Sequence, residues 1–219
     1  MNKKIFYKKE KGLIYNLLLF LKLNFLYNSS IIFACIIIGS FSNNIFRAIL
    51  TSIILYFWAY FVHVFAHKIP GYVNPHKIHH NPKISHKWWA VLTEFLINII
   101  GSGGLLLMIL NIIIENTFKI KLLDNYVLVY TMILYSTFHM INYHYLKVST
   151  HLNHHKYENA NYGPDIIDMI FDTKINNDEI ENMNHGIYNS IIALVIVLLN
   201  YKSRYDIVEI IREVINKII

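Results

Sequence analysis

The residues with the clearest chemical potential in this 219-residue chain are its 12 histidines, most of which stand in short groups. His63 and His67 are four residues apart, which places both on one face of a helix. Two later groups share the spacing HxxHH, and Asn74 and Pro75 before the first can cap and begin a short helix. These two groups are His76, His79 and His80, and His151, His154 and His155.

This arrangement of imidazoles predicts a metal centre. Neutral imidazole binds iron, zinc, copper or nickel, and chance would produce two HxxHH groups in such a composition only about once in a thousand chains. A further pair, His139 and His144, stands at the end of an apolar run. Together these histidines could supply ten ligands, which is too many for one ion and enough for two.

Other kinds of site are poorly supported by the sequence. The single cysteine, Cys35, excludes a disulfide scaffold, a Cys-ligated zinc module and an iron–sulfur cluster, since each needs several thiolates. There is no Gly-rich phosphate loop and no recognisable nucleophile motif. Roles for His86 and His185 stay open. Three carboxylates near the third histidine group could orient imidazole N–H groups or serve as solvated caps; they are Glu158, Asp165 and Asp168.

The composition is that of a membrane protein. Hydrophobic residues make up 55% of the chain and charged residues only 16%, against about 25% in a soluble domain, and the mean hydropathy is +0.37. A soluble enzyme is therefore not the first interpretation. Although the net charge is +6, the Lys and Arg residues are scattered or stand at the ends of apolar runs, so we expect no nucleic-acid partner.

Hydrophobic runs predict four membrane-spanning helices in two hairpins, at residues 25–41, 45–65, 91–114 and 126–144. If the Lys-rich N-terminus stays in the cytosol, both hairpins return the His-rich segments to the cytosolic side. We therefore predict an all-α integral membrane protein with a cytosolic, His-rich helical cap. A C-terminal amphipathic helix around residues 207–218 would lie on the membrane surface or pack against a partner.

The chain is predicted to be one membrane domain, residues 1–219. Its parts are a basic N-terminal segment (1–24), a first hairpin (25–65), a His-rich cytosolic segment (66–90), a second hairpin (91–145), another His-rich cytosolic segment (146–186) and C-terminal apolar and amphipathic helices (187–219).

From HVFAH at residues 63–67 to DIIDMIFDT at residues 165–173, the sequence resembles the fatty acid hydroxylase and sterol desaturase superfamily. Its members share an HxxxH box at a helix end, HxxHH about ten residues later, and a final HxxHH before a tail resembling NYG and WDxxFGT. The short interval between the first two boxes favours this family over the acyl-lipid desaturases. The chain departs at four positions: Tyr56 and Val64 replace the Asp and Arg often found near the first box, and Ile167 and Asp172 replace the tail Trp and Gly.

The resemblance implies a membrane-bound, non-haem di-iron oxygenase, with zinc able to replace iron in purified protein. Such an enzyme hydroxylates or desaturates a C–H bond of a lipid, using O₂ and electrons from a separate b-type cytochrome or ferredoxin. Docking of that donor would use basic residues near the histidines, and the endoplasmic reticulum would be the location. The docking residues are Lys77, Lys83, Lys87 and Lys156.

Several alternatives stay open. An inactive relative that binds lipid or metal would fit the missing Asp and Arg. A metal transporter would use the same histidines, but transport needs polar groups at mid-membrane depth, and the predicted spans carry histidines only at their cytosolic ends. Neither the lipid, nor hydroxylation as opposed to desaturation, nor the oligomeric state can be derived from the sequence.

Overall fold

The computed structural model describes residues 4–70, 74–157 and 159–218, and within them the chain is helical with no β-strand beyond an isolated bridge between Phe6 and Glu179. The all-α prediction is therefore confirmed for the described residues. The α-helices are α1 (Leu13–Leu23), α2 (Phe25–Phe41), α3 (Ile45–Lys68), α4 (His76–His80), α5 (Trp88–Ile100), α6 (Leu105–Phe118), α7 (Asn125–Met140), α8 (Ser149–Lys156), α9 (Asp165–Ile170), α10 (Ile187–Asn200) and α11 (Ile207–Ile218).

Two helical segments in the described residues are long and apolar enough to cross a membrane, Ile45–Lys68 and Trp88–Phe118. The pair α1 and α2 would make a third if counted as one span, although it bends by 76° near Asn24. The predicted span at residues 126–144 corresponds to α7, which has 16 residues and continues into a π-helical turn at Ile141–Tyr145. The structure thus supports two or three spans, and the predicted four are not confirmed.

Glycines determine how the apolar helices break and pack. The predicted span at 91–114 is interrupted between α5 and α6, where Gly104 has φ +104° and a Cβ on Gly103 would lie 2.7 Å from the Asn98 carbonyl oxygen. At the turn between α2 and α3, a Cβ on Gly39 would lie 2.6 Å from the Cα of Ile45. These close approaches explain why residues without a Cβ occupy both places.

Helix α7 lies at the centre of the bundle, where α3, α5, α6 and α10 pack against it. Its residues Val127, Leu128 and Tyr130 are fully buried. Because α7 is enclosed, the residues at its carboxyl end hold fixed positions beside α3 and α5. Those residues include His139.

The C-terminal helices return to the end of the bundle away from the histidines. Tyr201, just after α10, donates a hydrogen bond to the carbonyl oxygen of Phe41 at the end of α2, and Tyr126 at the start of α7 donates to Asp206. Helix α11 follows and buries Val208 and Ile215, while the neighbouring apolar residues Ile207 and Val214 stay exposed. The amphipathic pattern is thus realised.

Candidate metal centre

The predicted imidazoles are brought together by helix ends. The last two turns of α3 carry His63 and His67, the short α4 carries the second histidine group, and α8 carries the third. Asn74, the residue predicted to cap α4, lies two residues before His76, the first residue of the helix. Its Oδ1 accepts the N–H of His76. The Asn74 side-chain amide also donates to the carbonyl oxygen of Ala66, which ties α4 to the end of α3.

The first cluster, called site A here, contains five imidazoles, each with one ring nitrogen within 4.8 Å of one from every other ring. The Nε2 atom of His67 lies 3.0 Å from that of His154 and 3.1 Å from that of His76, and the latter lies 3.0 Å from that of His80. The remaining member, His63, is 7% exposed and its Nε2 has no hydrogen-bond partner. Site A consists of His63, His67, His76, His80 and His154.

The second cluster, site B, contains three imidazoles, His79, His151 and His155. The His79 Nε2 lies 3.0 Å from the Nε2 atoms of both others, and those two are 2.7 Å apart. The rings of His80 in site A and His155 in site B stack with centroids 4.3 Å apart. The two sites are therefore neighbours, each drawing on α4 and α8.

The positions of these nitrogens fit metal coordination better than hydrogen bonding between the rings. Three Nε2 atoms in mutual contact cannot all be satisfied as hydrogen bonds, because a neutral imidazole has one donor and one acceptor nitrogen. In contrast, nitrogens bound to one ion at about 2.0–2.1 Å stand about 3 Å apart. The buried Nε2 of His63, which lacks a partner, indicates the same. The residues present thus fit a metal ion in each site.

Backbone carbonyl groups fix the outer nitrogens of two rings. His63 Nδ1 lies 2.5 Å from the carbonyl oxygen of Tyr162, and His154 Nδ1 lies 2.7 Å from that of Ala160. A carbonyl can only accept, so each Nδ1 carries the proton and each Nε2 presents its lone pair to site A. Such outer contacts orient metal-binding imidazoles.

Two of the three nearby carboxylates, Asp165 and Asp168, accept hydrogen bonds from backbone N–H groups and not from the imidazole rings. Asp168 accepts the N–H groups of Tyr162 and Gly163, which positions the carbonyl that His63 uses. Asp165 accepts from Lys174 and from the N–H of Glu181. The idea that they bind imidazole N–H groups directly is therefore not supported, and Glu158 lies outside the described residues.

Sequence reasoning missed Glu94 on α5, a carboxylate that is 5% exposed and contacts three imidazoles. Its oxygens lie 2.6 Å from His139 Nε2, 2.9 Å from His144 Nε2 and 2.8 Å from His79 Nδ1. Together with His79 and His144 it forms a third group able to hold a metal ion. The available signal was its position, since Glu94 is the sole charged residue of the run 88–114 and an acid in such a run is a functional candidate.

The remaining histidines lie further from sites A and B. Both His139 and His144 face Glu94, so ligation by this pair stays a prediction. His86 is exposed. His185 stacks on Phe138 and its Nε2 contacts Asn142 Oδ1 at 2.5 Å, outside both clusters.

Burial keeps the imidazoles of His154 and His155 on α8 neutral. Desolvation, and then the imidazole of His79, lowers the pKa of His155 to about 3. Desolvation likewise lowers the pKa of His154 to about 4, with neighbouring imidazoles adding to the effect, although the carbonyl of Ala160 opposes it. Neutral imidazole is the form that binds metal ions, so these rings are prepared as ligands at neutral pH.

Comparison with known families agrees with this geometry. The profile described as fatty acid hydroxylase matches residues 48–173, more than half of the chain. The chain belongs to the fatty acid hydroxylase family. Comparisons with curated proteins and with solved structures gave no match. The region matched by the fatty acid hydroxylase profile contains both sites, Glu94 and the tail segment.

The departures from the fatty acid hydroxylase pattern lie outside sites A and B. The resemblance leads us to expect Gly at position 172, where this chain has Asp172. The backbone there is left-handed, with φ +57°, a conformation that Gly adopts more readily than other residues. Its carboxylate pairs with Lys9 at 2.5 Å. Ile167 is buried at 2% exposure and fills the place of the tail Trp, whereas Tyr56 and Val64 lie on α3 away from the ring nitrogens.

Proposed function

We propose that this chain is a membrane-bound di-iron enzyme that hydroxylates or desaturates a C–H bond of a lipid, using O₂ and external electrons. Its family indicates an oxidoreductase that acts on lipids, and its His clusters could hold metal ions. The observation that carries the finer proposal is the pair of adjacent nitrogen-lined sites beside apolar helices. Iron in such sites, when bound, supplies redox chemistry toward dioxygen and unreactive C–H bonds.

In this proposal the residues of the chain position the reaction. Imidazoles of sites A and B hold two ions side by side, and the carbonyl groups of Tyr162 and Ala160 keep two of the rings oriented. An all-imidazole ligand set brings no negative charge, so the Glu94 carboxylate provides the nearest compensation. The buried rings keep bulk water away from the reacting carbon.

Electrons would come from a separate b-type cytochrome or ferredoxin. Three of the four basic residues suggested for docking are exposed near the histidines, namely Lys83, Lys87 and Lys156, and acidic surfaces pair with such residues. The cytosolic orientation of the histidines and the endoplasmic reticulum location belong to the same proposal.

The first experiment measures metal per chain in protein produced with iron and zinc available. Wild type should hold about two ions, and His79→Ala or His154→Ala should lower that number and abolish turnover because each removes a ligand. His86→Ala is the matched control, since this exposed histidine lies outside both sites. It should keep its metal.

Metal-free wild-type protein, or equal loss in His86→Ala, would contradict the proposal. Lipids extracted from cells expressing wild type or His154→Ala give the reaction: a product one oxygen heavier indicates hydroxylation and one two hydrogens lighter indicates desaturation. Full metal content with no new lipid would instead support the inactive relative. If the sites hold zinc alone, they should be intact but catalytically inactive, because zinc has no redox chemistry.

A further inference from the structure

A cavity lies between α3, α7 and the loop that leads into α9, and its lining includes His139. Its empty space, counted together with the open solvent at its mouth, is about 810 Å³. Along α7 its wall extends from Thr131 to His139, which is about 12 Å of helix. A wall of that length can lie alongside part of one extended hydrocarbon chain.

Apolar side chains form most of the wall away from the histidines. Aliphatic and aromatic groups from α2, α3 and α7 face the space, together with one residue from the segment before α10. They include Ile31, Leu55, Leu134, Phe138 and Met183. A lipid tail would be buried here without meeting a charged group.

The end of the cavity near His139 is acidic. Asp165 and Glu181 line it, and neither Lys nor Arg does so among the described residues. The nearest ammonium, Lys174, is fully buried behind Asp165, 2.7 Å from that carboxylate and 3.9 Å from Asp178. Its charge is thus already compensated, and Glu181 adds a further acidic group to this end. Burial, and then the charge of Asp165, raises the pKa of Glu181 to about 8, so this end of the cavity keeps a carboxyl group mostly protonated at neutral pH and disfavours a further negative charge.

We propose that this cavity binds the lipid substrate and that the polar end of that lipid is a hydroxyl or a primary amine, not a free carboxylate. This inference rests on the proposed function. A hydroxyl or ammonium group can donate a hydrogen bond to Glu181 or Asp165. A fatty acid anion would bring a negative charge beside Asp165, where the nearby ammonium of Lys174 is already paired, and burial of an anion next to a like charge is unfavourable.

The position of the acidic end also determines where the lipid is oxidised. Glu181 accepts a hydrogen bond from the amide of Asn142, which follows His139 by three residues and so lies about one helical turn from it. Tyr143, which also lines the cavity, stacks on the ring of His151 in site B with centroids 3.4 Å apart. The oxidised carbon is therefore within a few bonds of the polar end and not in the middle of the tail.

Displacement of radiolabelled hexadecanol from purified full-length protein tests the substrate class. Unlabelled hexadecanol and hexadecylamine should displace the label at about tenfold or more lower concentration than palmitate, a difference equivalent to about 1.4 kcal/mol. Equal or better displacement by palmitate would overturn the inference, and so would the absence of saturable hexadecanol binding.

Two variants test whether Glu181 causes the preference for an amine or alcohol over palmitate. Glu181→Gln keeps the side-chain shape and should reduce the preference for amine over palmitate severalfold. Glu179→Gln is the matched control, because Glu179 pairs with Lys4 outside the cavity wall, and it should behave as wild type. A change in Glu179→Gln as large as that in Glu181→Gln would contradict the assignment of the acidic end.

Product analysis and metal content separate this inference from the proposed function. Fragmentation of the oxidised lipid should place the new oxygen or double bond within the first few carbons from the polar end, and a mid-chain position would overturn the inference. Metal is measured on the same samples. Metal-free wild-type protein would contradict the proposed function, whereas normal metal content with palmitate preferred would contradict the substrate class alone.

Discussion

At the residue scale, the imidazole spacing contained most of the information about the site. The two HxxHH groups and the HxxxH pair predicted eight nitrogens, and the structure gathers those eight into sites A and B. The spacing could not show which side chain contacts the remaining pair, His139 and His144. Glu94 lies 45 residues before His139, and contacts over such separations depend on how α5 packs against α7, which no local pattern records.

Replacing Glu94 tests whether this carboxylate supports the metal centre. Glu94→Gln keeps the volume but loses the charge and one acceptor, so His79, His139 and His144 can no longer all be oriented. We expect metal affinity to fall about 10- to 100-fold. Competition with a chelator of known affinity measures the change.

The control for this variant is Glu115→Gln. Glu115 is also a nearly buried acid of the apolar segment Trp88–Phe118, but it pairs with Arg212 and Lys121 at the other end of the bundle. Its substitution should leave metal affinity unchanged. Unchanged affinity in Glu94→Gln would show that the carboxylate does not support the site.

At the element scale, the sequence predicted helices well where hydrophobic runs end in polar turns and less well where packing interrupts a run. The prediction of 25–41 coincides with α2, and 45–65 falls within α3. The run 91–114 splits instead into α5 and α6 at the glycines, where a Cβ on Gly103 would lie 2.7 Å from the Asn98 carbonyl oxygen and 3.1 Å from the Cα of Met132 on α7. The sequence indicated these glycines as sites of close helix approach but did not predict the break.

The tight turn between α2 and α3 gives a prediction about stability. A methyl group in Gly39→Ala would lie 2.6 Å from the backbone of Ile45, which cannot move aside as a side chain can. We expect a loss of about 1–3 kcal/mol in the free energy of unfolding. Ser40→Ala, at the adjacent exposed position, should change it by less than about 0.5 kcal/mol.

Thermal or denaturant unfolding of both variants in the same detergent provides the comparison. Equal stability of Gly39→Ala and wild type would show that α2 and α3 can separate at this turn without cost. In that case the positions of His63 and His67 would not depend on this contact.

At the scale of the whole molecule, the bundle places its chemistry at one end. A helix of 24 residues such as α3 is about 36 Å long, enough to cross a hydrocarbon core of about 30 Å, and its last two turns carry His63 and His67. The N-terminal segment packs just beyond the matched region, where the N–H of Tyr7 donates to the Asp178 carbonyl oxygen. The α10–α11 connection lies at the other end, beside Phe41. A metal centre at a membrane face fits an apolar substrate that enters from lipid.

X-ray absorption at the metal edge of the purified, full-length protein shows which atoms bind the metal ions. We predict about two ions per chain, each bound by nitrogen or oxygen atoms, most of them from imidazole, at about 2.0–2.2 Å. His154→Ala should lose part of that imidazole signal. A spectrum without imidazole scattering, or one unchanged by His154→Ala, would contradict the claim that these histidines form the metal centre.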